Sequence, residues 1–204
     1  MRIIRSVRSI LRDHWSTYLI SNLIVYGTLV MAMIVAVYVP GLHDAGLRIT
    51  EAFLDSPGSR LVVEAYTSGG VVMSALVTLL GNFLFAALGT TTLPSLIIPF
   101  FGIVATIGRA VFIGIPYAPT SFEGLVTVVI AAPVLLIEFQ AYVLAMLGSS
   151  ILWRSTFMYR QRNLPSAYDG YLAGVKENFC LYPAIIVVLI GAASVEAVIA
   201  LVLN

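Results

Sequence analysis

Four polar residues stand inside apolar runs of this 204-residue chain: Asn82, Arg109, Glu138 and Glu196. A charged side chain at the centre of a membrane helix costs roughly 2.5–3.5 kcal/mol on insertion scales, so such residues are normally paired or functional. A guanidinium and two carboxylates suit two kinds of chemistry. The first is an internal ion pair between Arg109 and either Glu138 or Glu196, with the other glutamate neutral or hydrogen-bonded. The second is a path for a proton or ion, or a charged docking site for a partner helix. One arginine against two glutamates, with no further titratable group in line, makes a poor relay and favours the ion pair.

Enzyme chemistry has little to work with. The chain holds no GxxxxGK[ST] phosphate loop, no HExxH, no GxSxG elbow and no aspartate pair inside an apolar run. Its two histidines, His14 and His43, fall on opposite sides of the first apolar run, and its one cysteine, Cys180, stands alone, so no zinc site is expected. Ser149-Ser150 has no base nearby and reads as a pair of small packing residues. We therefore expect no catalytic residue, no metal site and no cofactor.

The elements that must position the polar residues are written in the hydropathy. The chain is 60% hydrophobic and 10% charged, with a mean hydropathy of +1.00. A soluble domain carries about 25% charged residues, so this composition belongs to a membrane protein. Residues 1–16 carry Arg2, Arg5, Arg8 and Arg12 interleaved with Ile3, Ile4, Val7, Ile10 and Leu11. At about 100° per residue the arginines share one face, which predicts a basic amphipathic helix lying in the membrane interface.

Five apolar runs follow: 18–39, 70–88, 93–115, 125–152 and 179–203. Each is long enough for a helix across about 30 Å of hydrocarbon. Arginines precede the first run as in a signal peptide, but it exceeds an h-region of roughly 7–15 residues and no small-x-small cleavage site follows. We read it as a retained span. Between the first two runs, 42–68 is a water-facing segment with a turn at Ser56-Pro57-Gly58-Ser59 and short amphipathic stretches at Ile49–Leu54 and Leu61–Tyr66. Gly89-Thr90-Thr91-Thr92 reads as the break between the second and third runs. Pro133 should kink the fourth a turn before Glu138, and 154–178 reads as a polar loop. The expected fold is all-α: a polytopic bundle of five transmembrane helices with an N-terminal interfacial helix, in a single membrane domain.

Charge placement sets the expected orientation. The N-terminal flank and the 154–178 loop hold Arg2, Arg5, Arg8, Arg12, Arg154, Arg160, Arg162 and Lys176, eight of the eleven basic residues. The positive-inside rule then puts the N-terminus in the cytoplasm and the C-terminus outside the plasma membrane. Small residues accompany the polar ones at helical spacing: Gly102, Ala105 or Thr106 with Arg109; Ala141, Tyr142, Ala145 and Gly148 with Glu138; Ala192, Ala193 and Ala200 with Glu196. Such faces let helices approach closely, so the charges should meet inside the bundle.

With these positions laid out, the chain resembles the stage II sporulation protein M family. The family's Asn-bearing span and Gly link have counterparts in Leu80-Gly81-Asn82-Phe83 and Gly89. Its small-residue motif matches Phe100-Phe101-Gly102 and Gly108, and its Pro ahead of Glu-x-x-Ala matches Pro133 and Glu138 to Ala141, continuing into Ala145 and Gly148. The closing Glu-Ala is Glu196-Ala197. The chain departs from the pattern at Phe101-Gly102, where Asn-Gly is frequent, and at Leu135-Leu136, where His-Gly is frequent; Arg109 lies outside it. The resemblance implies a five-span, non-catalytic membrane component, of a family that in spore formers works with cell-wall hydrolases during envelope remodelling. Sporulation itself is not implied by these residues.

Two functions of different class follow. The first is a scaffold or partner subunit of an envelope-associated complex, whose partners are the lipid bilayer, other membrane or envelope proteins, or further copies of the chain, and not nucleic acid. The alternative is a permease-like subunit of a transporter energised by a separate ATPase.

Overall fold

Apolar runs that must satisfy every backbone N–H internally become helices in hydrocarbon, and the computed structural model of the chain, which describes residues 2–56, 59, 63–64 and 70–203, is helical wherever it is regular. Helix α1 is Arg2–Asp13, α2 is Trp15–Tyr38 and α3 is Leu42–Leu54. Helix α4, Gly70–Gly81, runs on as a π-helix over Asn82–Thr92 and one further α-turn, Leu93–Ser95. Then come α5, Phe101–Gly114, and α6, Phe122–Phe157. A 3-10 turn, Tyr159–Arg162, leads to α7, Ala167–Cys180, and α8, Tyr182–Leu203.

Four stretches are long and apolar enough to cross a membrane: Trp15–Tyr38, Gly70–Ser95, Phe122–Phe157 and Ala167–Val202. They mark a membrane protein. The expected third span, 93–115, is not one helix. It is interrupted after Ser95, where Pro99 lacks an N–H and Phe100 takes a left-handed φ of 57°. What remains, α5, has 14 residues and is about 21 Å long at about 1.5 Å per residue, short of the hydrocarbon thickness.

The reversal also lies later than expected. Gly89-Thr90-Thr91-Thr92 does not break the second span, because the threonines bond back to the helix. Thr90 Oγ1 donates to Ala86 O at 3.0 Å and Thr91 Oγ1 to the same carbonyl at 2.9 Å. The turn falls at Leu96–Phe100 instead. The polar loop expected at 154–178 contains a helix, α7, capped by Ser166, whose hydroxyl accepts from Asp169 N at 3.2 Å.

Helix α6 is the axis of the molecule. At 36 residues it is about 54 Å long, and it continues through Pro133 as α-helix. Residues Ala141 to Leu152 are buried on every side, because α7 and α8 together run antiparallel along α6. Small residues set that contact. A Cβ on Gly148 would lie 2.4 Å from Asn178 Oδ1, one on Gly174 2.6 Å from Leu152 Cα, and one on Gly170 2.3 Å from Ser155 O. Further along, Leu181 at the α7–α8 junction and Ile185 and Leu189 of α8 pack with Ala141, Leu144 and Ala145. On the other side of α6, Val25 and Leu29 of α2 and Ala110 of α5 meet Phe139, Tyr142 and Val143.

The N-terminal helix is amphipathic as expected. Ile10 is buried, Val7 and Leu11 pack beside it, and Arg5, Arg8 and Arg12 are exposed; the Arg2 side chain lies outside the described residues. In the segment after the first span, α3 is a single helix from Leu42, longer than the stretch expected at Ile49–Leu54. It sits on the end of α5, where a Cβ on Gly46 would meet Ile115 Cγ2 at 2.5 Å. Of the expected stretch Leu61–Tyr66, only Val63 and Glu64 are among the described residues, as are Ser56 and Ser59 of the turn before it.

Candidate functional site: a polar cluster inside the bundle

Helix α5 buries Gly102, Thr106 and Ala110 and carries Arg109 beside that face. The Arg109 guanidinium donates through Nη2 to Thr90 Oγ1 and through Nη1 to Thr91 Oγ1 at 3.5 Å. Its Cζ lies 4.6 Å from the ring centroid of Tyr142, within cation–π range. Tyr142 is buried, and its hydroxyl donates to Glu138 Oε1 at 2.5 Å, one helical turn back on α6. Asn82 of the π-helix and Glu196 of α8 both lie near enough to act on that carboxyl. Tyr117, in the turn after α5, feels both glutamates.

The fold thus gathers Asn82, Arg109, Glu138 and Glu196 around one place, contributed by the π-helix, α5, α6 and α8. An ion pair of Arg109 with either Glu138 or Glu196 was expected; toward Glu138 the link runs through a third side chain. Between Arg109 and Glu138 stands the Tyr142 phenol, ring toward the cation and hydroxyl toward the carboxylate. A phenol does this well because its face is electron-rich and its O–H is a donor. The spacing Glu138–Tyr142, four apart on one helix, was a readable signal for that contact.

A second, partly buried network was not anticipated. Gln140, two residues after Glu138, projects to the other side of α6 and faces α2. Its Nε2 donates to Tyr18 Oη at 2.9 Å and to Asn22 Oδ1 at 3.0 Å. Tyr26 Oη donates to Leu136 O at 2.6 Å and to Gln140 Oε1 at 3.4 Å. The signal was present: Tyr18, Asn22 and Tyr26 recur every four residues along one face of α2.

Further polar contacts close one end of the bundle. Arg154 Nη1 donates to Thr17 Oγ1 at 2.8 Å, and Trp153 Nε1 to Ser95 O at 2.5 Å. Glu177 accepts from Arg162 at 2.5 Å and lies 3.5 Å from His14. These hold α1, α2, α6 and α7 together at the end where the basic residues concentrate. At the opposite end His43 Nδ1 is 3.3 Å from Ile115 O.

The cluster can hold helices in register, because Arg109 of α5 reaches the π-helix through Thr90 and Thr91 and α6 through the Tyr142 ring. Among the described residues no three of His, Cys, Asp or Glu stand close enough to share a metal ion. No family model matches the chain, and no curated protein and no solved structure matches it.

Proposed function

We propose that the chain is a non-catalytic integral membrane scaffold, a partner subunit of an envelope-associated complex of the stage II sporulation protein M kind. The observation that carries this reading is the closure of the central cluster. Arg109 is engaged by Thr90, Thr91 and the Tyr142 ring, and Glu138 by the Tyr142 hydroxyl, with Asn82 close by. Polar groups bonded to one another in this way rigidify a bundle. The order of Asn82, Pro133, Glu138 and Glu196 along the chain supports the family part of the proposal.

Five crossings fit this reading. Helix α5, extended by the Leu96–Phe100 turn and by Ile115–Tyr117, passes from the Trp153–Ser95 end to the His43–Ile115 end. That path returns the chain for α6 to start on the far side. The N-terminus and the 154–178 segment then share the cytoplasmic face, and the C-terminus lies outside.

The permease-like alternative draws on a different observation. The π-helix over Asn82–Thr92 lies against Arg109, and π-helical segments are frequent at functional sites. Purification from native membranes in mild detergent separates the two. A stoichiometric wall enzyme or extracytoplasmic partner is expected for the scaffold; a stoichiometric ATPase would replace that reading with transport.

A further inference from the structure

One groove lies outside the central cluster. It has a volume of about 820 Å3 and runs between α1 and the first turns of α8. Val7 and Leu11 form one wall, and Ala184 and Val187 the other, with Trp15 at the end. The only charged side chains lining it among the described residues are Arg8 and Arg12. They sit one helical turn apart on α1, about 6 Å along the axis.

We propose that this groove binds an anionic phospholipid, one acyl chain lying along the apolar walls and the phosphate held between Arg8 and Arg12. This rests on the membrane reading of the fold and not on the scaffold reading. Charge complementarity selects the occupant. An uncharged chain would satisfy the walls but leave the two guanidiniums, among the described residues, with Asp13 as their counter-charge, which bonds Arg12 Nε at 3.2 Å. Arg8 and Arg12 are both exposed, so they can reach a phosphate without leaving a core position. The neighbouring acid Glu177 is engaged by Arg162 and His14. The groove opens where α2 and α8 begin, and Val187 in its wall is 68% exposed; with α2 and α8 crossing the membrane, its arginines would lie at headgroup level. Basic pockets beside membrane helices on the cytoplasmic side suit such headgroups. A second copy of the chain is a poorer occupant, because a two-fold contact through this patch would bring like-charged α1 helices together.

Trp15, 53% exposed at the end of the groove, reports occupancy. The purified protein is titrated in detergent micelles with phosphatidylglycerol brominated on its acyl chains, and separately with brominated phosphatidylcholine. Tryptophan fluorescence is read throughout. Half-quenching is expected at a mole fraction of phosphatidylglycerol lower by at least roughly fivefold, the attraction of about one arginine for an anionic lipid surface. The preference should vanish in the R8Q/R12Q variant, survive in R8K/R12K, and be missing from the Trp153 signal that remains in W15F. Equal quenching by the two lipids overturns the proposal. So does a preference that persists in R8Q/R12Q, or protection of Trp15 that grows with protein concentration, which would mark a second copy as the occupant.

Discussion

An arginine in an apolar bundle is held by whatever its planar fork and its flat face can reach. Arg109 uses both, the fork on Thr90 and Thr91 and the face on Tyr142. A typical intramolecular hydrogen bond contributes about 0.5–1.5 kcal/mol net. Tyr142→Phe, which removes the bond to Glu138 and keeps the ring, should therefore cost about 1 kcal/mol in thermal unfolding of the detergent-solubilised protein. That loss should shrink in a Glu138→Leu background; equal losses in both would show the hydroxyl does not act through that carboxylate. Arg109→Ala should lower the folded yield further, with partial recovery when Glu138 or Glu196 is changed to Gln. If neither glutamate change alters the Arg109→Ala yield, the cluster is not coupled. Asn178 poses the opposite case. It is fully buried against Gly148, and neither amide atom has a hydrogen-bond partner. A buried unpaired polar group costs about 1–3 kcal/mol, so Asn178→Leu, of similar shape, should raise the melting temperature. A lower melting temperature would reveal a partner for the amide, such as a buried water.

Among the elements, the pairing of α6 with α7 depends most on side-chain size. Gly170 and Gly174 lie one turn apart, the small-xxx-small spacing that brings membrane helices close. At Gly174 a Cβ would sit 2.6 Å from Leu152 Cα and 2.8 Å from Leu152 O, backbone atoms that cannot swing aside. Gly174→Val should therefore force the helices apart and cost about 1–3 kcal/mol, the usual range for overpacking. Gly108, which has nothing within 4 Å of its Cβ position, should tolerate alanine. Loss of thermal stability in both variants alike would remove the close-approach argument. The π-helix belongs to this scale too. Its wider turn re-aims the hydroxyls after Ala86, so that Thr91, five residues on, reaches the Ala86 carbonyl and also faces Arg109.

At the scale of the whole molecule, polar contacts tie the two ends of the bundle differently. One end is cross-linked by arginines, tryptophan and glutamate, the other by α3 resting on the end of α5. Eight of the eleven basic residues belong to the first end, which the positive-inside rule assigns to the cytoplasm. Single cysteines in a Cys180→Ser background test this. A membrane-impermeant maleimide should label Asp55→Cys in intact cells and Gln161→Cys only after permeabilisation. The reverse pattern would invert the topology. Labelling of both sites in intact cells would break the five-crossing path, since α5 would then fail to return the chain.

The medium, the helical class, the amphipathic N-terminal helix and the four costly polar residues were legible in the sequence. Each depends on hydropathy, charge or a helical period, which are local quantities. The end of the second span was not legible, since Gly and Thr are usual turn residues and only the tertiary setting turned their hydroxyls back onto Ala86. Nor was the fate of the third apolar run. Its composition suits a full span, yet the turn at Pro99 and Phe100 spends part of its length on reversal. The greatest gap was in partners. Arg109 and Glu138 were identifiable as charges that must meet something, but the contacts of Arg109 with Tyr142, and of Gln140 with Tyr18 and Asn22, join positions far apart in the chain. Apolar burial is non-directional and can be summed from composition; hydrogen bonds are directional, so only the packed helices determined which donor met which acceptor.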